Sequence, residues 1–87
     1  MTEPAGMEFP AFLRLRVVGR NDEDFAAFVF EQLLPLLPDL TIDQLDVRPS
    51  SAGNYMAVHV AFVAESREHL DGIYLKLNSH ERVLWVL

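Results

Sequence analysis

Eighty-seven residues, 51% of them hydrophobic and 23% charged, supply one core rather than two and exclude a largely disordered chain. The chain has no cysteine, which removes disulfides, thiolate metal sites and cysteine nucleophiles together. A net charge of −6 disfavours nonspecific attraction to nucleic acid or anionic membrane, and no run approaches the roughly 20 apolar residues that span a bilayer. A cytoplasmic domain with no membrane partner is expected.

In chain order, residues 1–10 carry two prolines and a glycine without periodicity. They predict a flexible leader, mobile to Met7 and anchored by Phe9-Pro10, ahead of a domain over 11–87. Alternation from Phe12 to Val18 predicts a half-buried strand with Leu13, Leu15 and Val17 on one face and Arg14 and Arg16 on the other. Gly19-Arg20-Asn21 breaks the alternation. Asn21 or Asp22 is expected to cap a helix there, with Asp22, Glu23 and Asp24 placed where the dipole favours negative charge. Phe25, Phe28, Val29, Leu33 and Leu36 form its apolar stripe, and Pro35, which costs ~3 kcal/mol inside a helix, ends or kinks it near Leu34.

Ile42, Leu45 and Val47 give a weaker strand signal between Thr41 and Arg48, suited to a sheet edge. Pro49 to Asn54 is the clearest turn and predicts a hairpin. Tyr55 to Ala64 alternates Met56, Val58, Val60 and Phe62 with Tyr55, Ala57, His59 and Ala61; both faces are fairly apolar, as in a central strand. Ser66 precedes a second amphipathic stretch with Leu70, Ile73, Tyr74 and Leu77, ending at Asn78-Ser79. Arg82 to Leu87 predicts a last strand with Val83, Trp85 and Leu87 sharing a side. The order is that of an α+β, ferredoxin-like βαββαβ fold, an alpha/beta sandwich with both helices on one face of a four-stranded antiparallel sheet and strands one and three central.

The turn Arg48-Pro49-Ser50-Ser51-Ala52-Gly53-Asn54-Tyr55 resembles the Lys/Arg-Pro-Ser-Ser-x-Gly-x-Tyr turn of the YbeD-like family, small bacterial proteins of uncharacterised function. Glu8-Phe9-Pro10, Arg16-Val17-Val18-Gly19 and the apolar Val83 to Leu87 fall at matching places, so the likeness covers nearly all of the chain after residue 7. Pro35 and Pro38 make a proline-rich helix exit that the family pattern does not require. The resemblance implies a fold similar to ACT domains, regulatory modules whose amino-acid ligand commonly lies near the loop after strand one, between two modules. It implies no known activity and no ligand.

Chemistry is sparse. His59, His69 and His80 fall on a strand, a helix and a loop without metal-ligand spacing. Ser50 and Ser51 lack a Gly-x-Ser-x-Gly setting and read as turn residues whose hydroxyls bond the local backbone. Glu65, Glu68 and Asp71 read as a solvated helix face. No catalytic residue, metal or cofactor is expected, and hence no enzyme.

Two places remain. Gly19, Arg20, Asn21 and Asp22 form a loop at a helix start that can hold a zwitterion, with its ammonium on Asp22, or simply cap the helix. Strict parity also turns Arg14, Arg16, Arg48 and Arg82 outward with Tyr55 and His59, beside Ala57, Ala61, Leu84 and Val86, on the face opposite the helices. That face is either a wet sheet surface covered by long arginines or a surface for a partner. The central strands lack the paired exposed aromatics of RNA-recognition domains, so no nucleic-acid partner is expected. The reading is a noncatalytic regulatory or protein-interaction module that uses its open sheet face and self-associates. The alternative is an amino-acid-like small-molecule sensor at Gly19–Asp22, at a dimer interface.

Overall fold

A computed structural model of the chain describes residues 8–49 and 52–87. Residues 1–7 of the leader expected over residues 1–10, and the turn serines Ser50 and Ser51, lie outside the described residues.

The two best-patterned segments become the two longest strands. β1 (Ala11–Arg20) and β3 (Tyr55–Ala64) each run ten residues and pair antiparallel over their full length, from Ala11 opposite Ala64 to Arg20 opposite Tyr55. β2 (Leu45–Pro49) lies outside β3, and β4 (Val83–Val86) lies outside β1, giving the sheet order β2-β3-β1-β4. The weak polar strand is thus an edge strand, as its sequence predicts. The fold is ferredoxin-like, with β1 and β3 central.

Both helices pack on one face of the sheet. α1 (Phe25–Leu33) buries Phe25, Val29 and Leu33, and α2 (Arg67–Asn78) buries Ile73 and Leu77. These meet Leu15, Val17, Met56, Val58, Val60 and Phe62 from the sheet. Truncating any of these large apolar side chains costs about 2–5 kcal/mol, because the neighbours close the cavity only in part. α2 is capped as expected, Ser66 Oγ accepting from the His69 amide at 3.1 Å. His69 also joins the helical layer to the α1 exit. Its Nδ1 accepts from the Glu65 amide at 3.0 Å, which leaves the ring proton on Nε2 to donate to the Leu36 carbonyl at 2.6 Å. α1 ends at Leu33, just before Pro35, and a short 3₁₀ turn over Ile42–Gln44 leads into β2. Gln44 Oε1 accepts there from the Thr41 amide at 2.8 Å.

Three expectations are corrected. α1 starts at Phe25 and has no side-chain cap. Asn21 is engaged elsewhere: its Nδ2 donates to the Gly53 carbonyl at 2.8 Å, and its amide donates to Asn54 O at 3.2 Å, tying this loop to the β2–β3 turn. Asp22 and Asp24 face Arg82, at 3.8 and 2.7 Å.

The second correction is in β4. Val18 is opposite Trp85 but Gly19 is opposite Val83, so Leu84 is an extra residue in a β-bulge. The bulge inverts the parity read from the sequence: Val83 and Val86 both pack against the core, while Trp85 and Leu87 are exposed. Val86 is therefore an inner residue.

Arg82 is the third. It precedes β4 and lies against the start of α1, so it leaves the group of outward arginines. Its guanidinium sits 4.6 Å from the Phe28 ring centroid and 5.8 Å from that of Phe25.

Candidate functional site

The residues of the Gly19–Asp22 loop are largely taken up by internal contacts. A methyl group on Gly19 would run into the Phe25 ring and approach the Arg82 carbonyl to 2.7 Å. This glycine is required by close packing. Bidentate bonding from Arg82 to Asp24, at 2.7 and 3.4 Å, holds the Asp24 carboxyl below its ordinary range and raises the Arg82 guanidinium in turn. Beside the loop is a recess of about 250 Å³ lined by Arg20, Asp22, Phe25, Glu81, Arg82 and Leu84.

On the other side of the sheet the register sets out the open face in rows. Arg48 of β2, Ala57 of β3, Val18 of β1 and Trp85 of β4 lie across the strands in one row; Asp46, His59, Arg16 and Leu87 form the next. Arg14 opposite Ala61 and Phe12 opposite Val63 continue it toward the start of β1, and Arg20 opposite Tyr55 closes the other end. Of the six residues expected on this surface, Arg14, Arg16, Arg48, Tyr55 and His59 are brought together, and Arg82 is not. Trp85 joins them. Sequence parity placed it on the opposite side, because nothing in the residues Val83-Leu84-Trp85 marks the bulge.

The centre of this face is concave. Arg16, Arg48, Pro49, Tyr55, His59 and Trp85 rim a recess of about 350 Å³ over Val18 and Ala57. Although these two point away from the helices, they are only 3% and 8% exposed, because the long side chains around them cover them. Tyr55 and Trp85 have ring centroids 6.2 Å apart at 47°. Arg48 contacts Asp46 at 2.6 Å, an exposed pair in which the aspartate is held below and the arginine above its ordinary value, chiefly by their hydrogen bond. Arg14 and Arg16 have no ion-pair partner among the described residues.

The acids lie elsewhere. Asp22, Glu23, Asp24, Glu31, Glu65, Glu68, Asp71 and Glu81 are exposed on the helical layer and its loops. The face thus gathers Arg14, Arg16, Arg20 and Arg48, with Asp46 paired to Arg48. Among the described residues no group of three or more His, Asp or Glu side chains could hold a metal ion, and no helix is long and apolar enough to cross a membrane.

Comparison with known proteins gives a family but no activity. A family model described as a protein of unknown function, DUF493, matches residues 4–87. The UPF0250 protein RSc0326 of Ralstonia nicotianae is 35% identical over 81 residues, covering 93% of this chain and 84% of that protein. A UPF0250 protein of Neisseria gonorrhoeae is 40% identical over 81 residues, covering 93% and 89%. In three dimensions the chain is similar to the solution structure of protein HP0495 from H. pylori, with a TM-score of 0.76 and 14% identity over 99% of this chain and 90% of that one, a likeness of fold alone. The YbeD-like turn motif and these matches agree, and the chain belongs to the DUF493 (UPF0250) family of proteins of unknown function.

Proposed function

We propose that this protein is a noncatalytic interaction module that docks an acidic protein partner on its open sheet face and acts as a regulator through that contact. One observation carries the reading: charge is segregated, with four arginines and exposed aromatics on the open face of a chain whose net charge is −6. Antiparallel sheets often leave a face wet, but a wet face does not need Phe12 at 68% and Trp85 at 45% exposure beside Arg14 and Arg16, which have no ion-pair partner among the described residues. Charge also selects the occupant. Pairing this face with the same face of a second copy would bring arginine against arginine, whereas an acidic surface is complementary. A symmetric dimer through this face is therefore disfavoured, and the partner we propose is a different protein that presents an acidic surface.

The alternative, an amino-acid-like effector at Gly19–Asp22, has less support. Gly19 is packed against Phe25, Asn21 is bonded to the β2–β3 turn, and the Asp22 carboxylate lies near Arg82. A thermal-shift screen of amino acids tests it directly, since a ligand at ~100 times its dissociation constant adds about 2.7 kcal/mol of stability.

Photo-crosslinking in cells tests the leading reading. A benzophenone side chain at position 12, on the open face, is expected to trap a protein that the same group at position 68, on the helical layer, does not, and Arg14→Glu/Arg16→Glu is expected to lower the yield. Equal trapping from both faces, or trapping indifferent to the charge reversal, would overturn it.

A further inference from the structure

The recess at the centre of the open face has a more specific chemistry than the face as a whole. Its floor is apolar and made of short side chains, Val18 and Ala57, so it has depth that longer residues would fill. One wall is aromatic, Tyr55 and Trp85; the other carries Arg16, His59 and Arg48. A volume of about 350 Å³ is at the low end of ligand sites, enough for one or two side chains and small for a nucleotide cofactor. Aromatic walls favour a ring in offset or tilted contact, and guanidinium groups add attraction to its face. The same guanidiniums bond carboxylates strongly, and aromatic and arginine side chains dominate binding energy where interfaces have been dissected.

We propose that this recess is the anchor of the docking face and takes an aromatic side chain flanked by carboxylates, presented by an acidic segment of the partner protein. The ring lies over Val18 and Ala57 against Trp85, and the flanking carboxylates meet Arg16 and Arg48. Arg16 has no ion-pair partner among the described residues, and Arg48 exchanges an exposed intramolecular bond to Asp46 for the incoming one. This rests on the reading that the open face docks an acidic protein, and it adds where that partner is gripped and by what.

Trp85 is the only tryptophan of the chain, so its emission reports on the recess without a label. The intact protein is titrated with the blocked peptide acetyl-Gly-Asp-Phe-Glu-Gly-amide, with the neutral acetyl-Gly-Asn-Phe-Gln-Gly-amide, and with phenylacetate. The acidic peptide is expected to change Trp85 emission saturably and to bind about tenfold or more tightly than either of the others, with Arg16→Gln removing a similar factor. Lys76→Gln, on α2, is expected to leave the titration unchanged. No saturable change at millimolar peptide, or equal binding of the neutral peptide, would overturn the proposal. Equal binding of phenylacetate would also do so, by making the recess a small-molecule site. Crosslinks from position 12 that persist while the peptide fails would sink the anchor and spare the docking face; peptide binding without such crosslinks would sink the docking face.

Discussion

Arginine serves differently at two places in this molecule. At the corner between β1 and α1, Arg82 is used internally: it holds Asp24, faces Asp22 and covers the rings of Phe25 and Phe28. On the open face, Arg14 and Arg16 have no ion-pair partner among the described residues. The first arrangement supports the fold; the second belongs to the surface proposed to dock a partner. A guanidinium's neighbours, rather than its exposure, separate the two roles.

Substitutions can break this contrast, starting at the corner. Gly19→Ala should be the most damaging, because its methyl meets backbone at Arg82 as well as the Phe25 ring; a loss of about 2–3 kcal/mol is expected in chemical denaturation. A loss within error would mean that the corner yields. Gly53, with φ at 78°, has no described neighbour within 4 Å of an added Cβ, so Gly53→Val is expected to act through backbone strain and to cost more than ~1 kcal/mol.

Arg82→Met keeps most of the apolar cover and removes the charge, so a smaller loss is expected, and its signature is pH. Asp24 is held below its ordinary range, so its contribution is complete above that range and disappears as pH falls through the lowered pKa. Carbon-detected titration should show Asp24 returning to the ordinary range in Arg82→Met; an unmoved titration would dissociate the two residues. Arg14→Glu/Arg16→Glu should leave the melting temperature unchanged while reducing partner capture. A drop in melting temperature would assign those arginines to the fold. Least effect of all is expected for single-stranded RNA: no retention on the wild-type protein at low salt, where retention would replace the protein partner with a nucleic acid.

The strands were legible because period-two alternation over Leu13 to Val17 and Met56 to Phe62 meets a sheet buried on one side, and Pro35 marked the α1 exit by its missing amide. The beginning of α1 was not legible, since Asn21 and Asp24 have capping chemistry and yet bond Gly53 and Arg82, both distant in sequence. The open face was legible on three strands and misread on the fourth. Parity extrapolated from Val83 fails at Leu84, because a bulge is a property of two strands and leaves no mark in one. The recess went unread for that reason: its aromatic wall needs Trp85 on the same side as Tyr55.

The unequal lengths of β1 and β4 have one more consequence. β4 covers Val83–Val86, and Leu87 after it exchanges both main-chain bonds with Arg16 at 2.9 Å. Main-chain groups of alternate residues point the same way, so those of Phe12 and Arg14 turn toward a side where no described strand continues. Such a ledge is a template for runaway sheet growth, and a charged side chain standing on it is a common deterrent. Arg14 stands on that ledge, so Arg14→Leu is expected to make the protein stickier toward its own kind in light scattering, whereas Arg14→Glu, keeping a charge, is not.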